Sequence, residues 1–171
     1  MNVQDIPRGA EDHASVALLG AAAALLAKRQ PDIPADFITV LFGHAVPEDL
    51  VRYSADELAA MAERSWAFLA ERVPGSPKIR FEDAAAPRGI SVLEIVNDDM
   101  PFLVDSVAAE LNQRGLDIRL FVHPVFAVER EHAGKLVDFK GARRSDGLRE
   151  SFIYVHVEAA ADAQRRLELV G

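Results

Sequence analysis

The sequence contains no cysteine, which excludes disulfides, thiol nucleophiles and thiolate metal sites and suits a reducing compartment such as the cytoplasm. Its ten glycines include no G-x-G pair, so neither a dinucleotide-binding fingerprint nor a phosphate-cradling loop can be built. None of the five histidines stands in H-x-x-x-H spacing, and Asp12, His13 and Ser15 form a local run at a helix start rather than a nucleophile arranged by a base. The longest apolar stretch, residues 15–27, is alanine-rich and falls short of the roughly 20 residues that span a bilayer. It follows an acidic start with Asp5, Glu11 and Asp12, whereas a signal peptide opens on basic residues. A basic excess is also missing: 19 Lys and Arg face 27 Asp and Glu, giving a net charge of −8 and a pI near 5.1. That balance argues against nucleic acid or an anionic membrane as the main partner. The acidity is evenly spread, with 9 bases and 13 acids in residues 1–89 and 10 and 14 in residues 90–171, so neither half is a charged tail.

What remains is 171 residues, half of them hydrophobic, enough for one domain of ordinary size or a small one with an appendage. Because 28 residues are alanine, bulky core side chains must be concentrated in a few segments. Residues 11–29 read as a helix with Val16, Leu19, Ala23 and Leu26 on one stripe; Lys28 and Arg29 suit its C-terminal dipole, and Pro31 stops it. Residues 34–44 read as a short helix carrying Phe37, Val40 and Leu41, with Asp32 as a candidate cap. The clearest helix follows Ser54, where Ser54 and Glu57 make a capping box and Leu58, Met61, Ala62, Ser65, Leu69 and Val73 form the inner stripe.

From Lys78 the hydrophobic period changes from 3.6 to 2. Ile79 and Phe81 alternate with Lys78, Arg80 and Glu82 in a short strand; residues 90–96 form a strand apolar on both faces, hence central. A helix over residues 101–114, with Leu103, Val104, Val107, Ala108 and Leu111 inward, closes at Gly115. Residues 116–130 alternate as one long strand, and residues 136–139 pair back onto it. Residues 151–158 form a further strand, with Ile153, Val155 and Val157 opposite Phe152, Tyr154 and His156, and a final helix begins near Ala160. The expected fold is therefore α+β: a helical segment over residues 1–76, then an incomplete ferredoxin-like βαββα module with an antiparallel sheet over residues 77–171, its last strand missing. The vacant edge is expected to be covered by residues 78–82 pairing antiparallel with residues 90–96.

Two groups of side chains are candidates for chemistry. If Ile153 and Val155 face the helix of the module, then Glu94, Phe121, His123, Val125, Tyr154 and His156 share the other sheet face, either as a metal site using His123 and His156 or as packing groups beneath the N-terminal helices. Lys140, Arg143, Arg144 and Arg149 form either an anion patch or a solvated loop beside Asp138, Asp146 and Glu150. The second group is the strand-to-helix turn Asn97, Asp98, Asp99, Met100, Pro101, Phe102, Leu103, Val104 and Asp105. Asn97, Asp98 and Asp99 can cap the helix, with Pro101 in its first turn. In the ACT family of regulatory modules a similar turn, Asp-x-Pro-Gly-Leu, receives an amino acid, and residues 99–103 resemble it with Phe102 where that family usually has glycine. Because helix amides already face nearby carboxylates, an effector there is expected to turn its ammonium toward Asp98, Asp99 or Asp105.

A longer ordered pattern is more specific. It comprises Tyr53, Ser54, Ala55, Asp56, Glu57 and Leu58; Trp66, Phe68 and Leu69; Pro74, Gly75, Ser76, Pro77, Lys78, Ile79 and Arg80; the turn above; Asn112, Gln113, Arg114, Gly115 and Leu116; Val122, His123, Pro124 and Val125; and Arg149, Glu150, Ser151 and Phe152. Together these resemble the N-terminal, ACT-like region of the large bacterial NAD-specific glutamate dehydrogenases over about residues 45–158. The resemblance implies an amino-terminal piece of a long cytoplasmic chain, with NAD bound and glutamate oxidised by domains further on. It also implies a regulatory or assembly role without catalytic residues or a cofactor of its own. Its expected partners are the remaining domains, a homo-oligomeric parent and an amino-acid effector at Asn97, Asp98, Asp99, Met100, Pro101, Phe102 and Asp105. A free-standing ACT-type amino-acid sensor and a small metal protein are the alternatives.

Overall fold

The computed structural model of the chain describes residues 8–84, 89–142 and 147–158. Four helices, α1 (Arg8–Arg29), α2 (Phe37–Phe42), α3 (Pro47–Leu50) and α4 (Ala55–Leu69), precede β1 (Lys78–Asp83), β2 (Ile90–Asp98), α5 (Leu103–Gln113), β3 (Ile118–Val122), β4 (Val125–Arg130), β5 (Leu136–Phe139) and β6 (Leu148–Glu158). The α+β class is as expected. The final helix expected from Ala160 lies outside the described residues.

The sheet is antiparallel with order β1-β2-β6-β4-β5, and β3 also pairs with β6. Strands β2 and β3, joined through α5, flank β6 and run antiparallel to it, which is the split βαβ arrangement. The edge of β2 that the missing strand would occupy is taken by β1, paired from Lys78↔Val96 to Asp83↔Ser91. The expected cover of this edge is therefore present, and its polarity follows from the short connection between β1 and β2. Residues 116–130 depart from expectation by forming two strands. Pro124 has no N–H to donate and its carbonyl instead accepts the Phe152 amide at 2.9 Å, so the ladder breaks there and β4 resumes on the next stretch of β6.

Each face of the sheet has its own core. On one, Val92, Val96, Leu120, Val122, Phe126, Val128, Phe152 and Tyr154 pack with Phe37, Leu41, Leu58, Met61 and Phe68 of the N-terminal helices. On the other, Leu93, Ile95, Ile153, Val155 and Val157 pack with Leu111 of α5. Helices and sheet thus bury one common hydrophobic cluster across the position of residue 76, and that burial drives their association.

Local chemistry explains the helix ends. Ser54 Oγ accepts the Glu57 amide at 3.1 Å and Glu57 Oε2 accepts the Ser54 amide at 3.2 Å, completing the capping box. At the end of α5 the Leu116 amide donates to Leu111 and the Gly115 amide to Asn112, with Gly115 at φ +66°, a Schellman closure. Helix α1 begins earlier than expected and is long and apolar enough, by length and composition, to cross a bilayer, yet it lies against α4. Of its expected inner stripe, Leu26 is buried and Leu19 and Ala23 pack against the core, with Ser15 and Ala22 buried beside them, while Val16 is 70% exposed. Alanine packs closely but gives little contrast between faces, so the edge of the stripe is set by contacts rather than by the pattern.

Helix α4 stops at Leu69 rather than Val73, which is 56% exposed, because the chain beyond it pairs with the β4–β5 hairpin. The Ala70 carbonyl accepts the Leu136 amide at 2.8 Å and the Arg72 amide donates to the Gly134 carbonyl at 3.0 Å. Gly134 sits at φ +104°, and a Cβ there would lie 2.5 Å from the Arg72 carbonyl oxygen. Gly134→Ala is accordingly expected to destabilise the chain by roughly 2 kcal/mol or more, as strain at a disallowed φ adds to a backbone clash; urea denaturation measures it, and a loss under about 0.5 kcal/mol contradicts this docking.

Candidate functional site

The turn between β2 and α5 begins later than its sequence suggests. Asn97 and Asp98 belong to β2, paired with Ser151 and Glu150 of β6, and the N-cap of α5 is Phe102, with no side-chain cap. The expected capping by Asn97, Asp98 and Asp99 is therefore not made: the ladder to β6 holds the first two extended, too far along the strand to reach the helix amides. The Asp99 amide donates to the Arg149 carbonyl at 3.1 Å. Met100, Pro101 and Phe102 are exposed, and Asp105 is exposed in the first turn of α5.

Phe102 is the one non-glycine residue with positive φ among the described residues, at +66°, and it is 78% exposed. Its backbone keeps the left-handed conformation that glycine adopts without penalty, and its ring gains no burial in return.

Each of the first two carboxylates in the turn faces an arginine. Asp98 Oδ1 accepts from Arg72 Nη2 at 2.5 Å, while Asp99 Oδ2 lies 3.7 Å from Arg149 Nε. Asp98 thereby joins the turn to a buried ionic network. Arg72 Nε donates to Glu150 Oε2 at 2.8 Å, and Arg130 grips the same carboxylate through Nε at 2.9 Å and Nη2 at 2.8 Å. All three side chains are almost wholly buried. The remaining guanidinium hydrogens reach the carbonyls of Ser76, Gly134 and Leu69. Neither Arg72 nor Arg130 carries a local signal, since an arginine after a helix or at a strand end looks solvated; Glu150 stands in the sequence only within the longer pattern and among the acids beside the basic run.

His156, the second candidate, is fully buried beneath the helical layer. Its Nδ1 is 2.8 Å from Tyr53 Oη and its Nε2 is 2.8 Å from Tyr154 Oη, so both ring nitrogens are engaged and none is open to a metal. His123 is exposed where β3 gives way to β4. The metal site of His123 with His156 is therefore not assembled, and no cluster of three or more histidine, aspartate or glutamate ligands occurs among the described residues. The face assignment failed at a register shift between Ile118 and Leu120. This irregularity turns Leu120 and Val122 toward the N-terminal helices and Phe121 toward α5. Glu94, Tyr154 and His156 do share the expected face. Glu94 accepts from Arg80 Nε at 2.7 Å, and burial raises its carboxyl pKa against the opposing pull of Arg80 and Arg64.

Burial, aided by Arg64, lowers the His156 pKa from 6.5 to about 4. Burial likewise raises Tyr53 to about 12 and Tyr154 well above its ordinary value, so the three rings stay neutral and hydrogen-bonded. Of the basic run, Arg143 and Arg144, with Asp146, lie outside the described residues, and Lys140 lies 3.9 Å from Glu129.

Residues 37–170 match the family described as glutamate dehydrogenase, ACT1 domain. The NAD-specific glutamate dehydrogenase of Halomonas elongata is 34% identical over 131 residues, which are 72% of this chain and 8% of that protein. The protein of the same name from Pseudomonas aeruginosa is 28% identical over 123 residues, 68% of this chain and 8% of its own. The chain thus spans about 8% of the length of the curated relatives it matches. No solved structure matches it.

Two outcomes follow from this geometry. Phe102→Gly is expected to stabilise the chain by about 1 kcal/mol, the relief of a left-handed non-glycine residue less the added chain entropy; a shift of the urea midpoint to lower concentration refutes it. Below pH 6.5 the unfolded His156 gains a proton that the folded ring refuses until about pH 4. The stability that neutral His156 contributes is therefore complete above pH 6.5 and falls by up to roughly 3 kcal/mol on the way to pH 4. His156→Gln should flatten that part of the stability profile relative to wild type, whereas parallel profiles contradict the assignment.

Proposed function

The chain belongs to the glutamate dehydrogenase ACT1 domain family, and from that premise we propose that it serves as the non-catalytic N-terminal regulatory or assembly domain of a large NAD-specific glutamate dehydrogenase. The parent reaction is L-glutamate and NAD to 2-oxoglutarate, ammonia and NADH. The observation that carries this reading is the family match over residues 37–170, in a chain without paired glycines. Neutral His156 and charge-paired Glu150, both buried, are engaged by other side chains, which suits a structural or signalling role better than acid–base chemistry. In this reading NAD belongs to the remaining domains of the parent chain, which also supply its partners within a cytoplasmic homo-oligomer.

An amino-acid effector is received at residues 97–105. Asp98 is already held by Arg72, whereas Asp99 keeps only a looser 3.7 Å pair with Arg149, so Asp99 and Asp105 are the carboxylates better placed to meet an ammonium group, and Asp98 relays the occupied turn to the buried network. Two measurements test the proposal. Calorimetric titration with NAD is expected to give no saturable binding, and a single-site isotherm overturns the non-catalytic assignment. A thermal-shift screen of the amino acids should raise Tm in proportion to ln(1 + [L]/Kd), and Asp99→Asn should diminish the rise. No shift with any amino acid leaves assembly as the role, and a shift indifferent to Asp99→Asn removes the ligand from this turn.

A further inference from the structure

A cleft of about 440 Å³ opens between the end of α2 and the break where β3 passes to β4. This volume lies in the range of small-molecule sites. Val40, Pro124 and Val125 supply apolar walls, and His44, His123 and Arg149 supply the principal polar groups. Among the described residues its lining holds one arginine, two histidines and no carboxylate, in a chain whose net charge is −8.

The three basic groups are placed by the fold. Pro124 interrupts the ladder and leaves His123 outside it, α2 ends beside His44, and the pairing of β4 with β6 fixes Arg149 opposite Ala127. Among the described residues none of the three side chains makes a hydrogen bond. The acid paired with Arg149 among the described residues is Asp99, at 3.7 Å, which orients the guanidinium electrostatically without occupying its hydrogen-bond donors. An arginine fork with open donors beside two imidazoles and an apolar wall is suited to an oxyanion on a small carbon body. The cleft is too small to enclose a polymeric anion such as a nucleic acid, which the overall charge would also repel.

We propose that this cleft binds a small oxyanion, a carboxylate or phosphate group carried on a compact apolar body, with Arg149 as its principal anchor and His44 and His123 as flanking donors. The site is separate from the turn at residues 97–105 and selects the opposite charge. Asp99 connects them: it competes with the ligand for Arg149.

Isothermal titration of the 171-residue chain with succinate, citrate and inorganic phosphate, against sodium chloride of matched ionic strength, tests the proposal. Saturable binding by at least one of the three is expected, phosphate alone identifying the phosphate class and succinate or citrate the carboxylate class. Arg149→Gln should weaken it about tenfold or more, the worth of one charge-assisted pair; Arg149→Lys, which keeps the charge and loses the fork, should fall between. His44→Gln with His123→Gln should weaken it with Arg149 intact. Asp99→Asn should strengthen it, the reverse of its expected effect on an amino-acid effector, so the two readings fail separately. Circular dichroism and Tm report whether each variant is folded. No saturable binding up to about 10 mM, or binding unchanged in folded Arg149→Gln, overturns the proposal.

Discussion

A buried carboxylate is the constraint on which this architecture turns. Glu150 is wholly enclosed, and an enclosed charge without partners costs several kcal/mol. Arg72 and Arg130 remove that penalty only if they arrive together, one from the segment leaving α4 and the other from the end of β4. Their remaining donors then fix the carbonyls of Leu69, Ser76 and Gly134. One carboxylate thereby sets where α4 ends, where the β4–β5 hairpin docks, and how the helical layer sits over the sheet. Apolar burial supplies most of the driving force for folding, but it tolerates sliding; the ionic network does not, because displacement strands a charge.

The second polar group in the interior works differently. Tyr53, His156 and Tyr154 are neutral, and each polar atom of the imidazole meets a hydroxyl. Tyr53 comes from the loop before α4 and the other two from β6, so this chain of rings registers the helical layer at the end of the sheet opposite the Glu150 network. Two polar attachments spaced along β6 define both position and rotation of the layer, whereas either alone leaves a pivot.

Much of this was legible in the residues. Period-2 runs placed the strands, the capping box placed α4, and the vacant edge with a short connection led to the β1–β2 pair. What could not be read were consequences of contacts distant in sequence. The break at Pro124 depends on β6 offering an amide to its carbonyl, the face of Phe121 depends on a register shift, and the early end of α4 depends on a hairpin sixty residues away. The turn shows the same limit. Asn97, Asp98 and Asp99 have the chemistry of caps, but strand pairing took two of them first. Arg72 carried no local signal, since only the fold brings it to Glu150 and Asp98.

The turn joins these strands of argument. Its first aspartate is bound to the buried network, its second faces Arg149 at the rim of the proposed anion-binding cleft, and its last residue before α5 is strained at Phe102. A left-handed phenylalanine persists only where the surroundings over-determine the backbone. Here the β6 ladder fixes one end of the turn and the apolar stripe of α5 the other. The conformation of the turn is therefore imposed by the sheet and helix rather than chosen locally. On the proposed readings, a ligand at the turn or an anion drawing Arg149 away would act through Asp99 on a segment with little freedom to absorb it. The adjoining Asp98–Arg72 contact ties that segment to Glu150, and through Glu150 to the packing of the helices on the sheet.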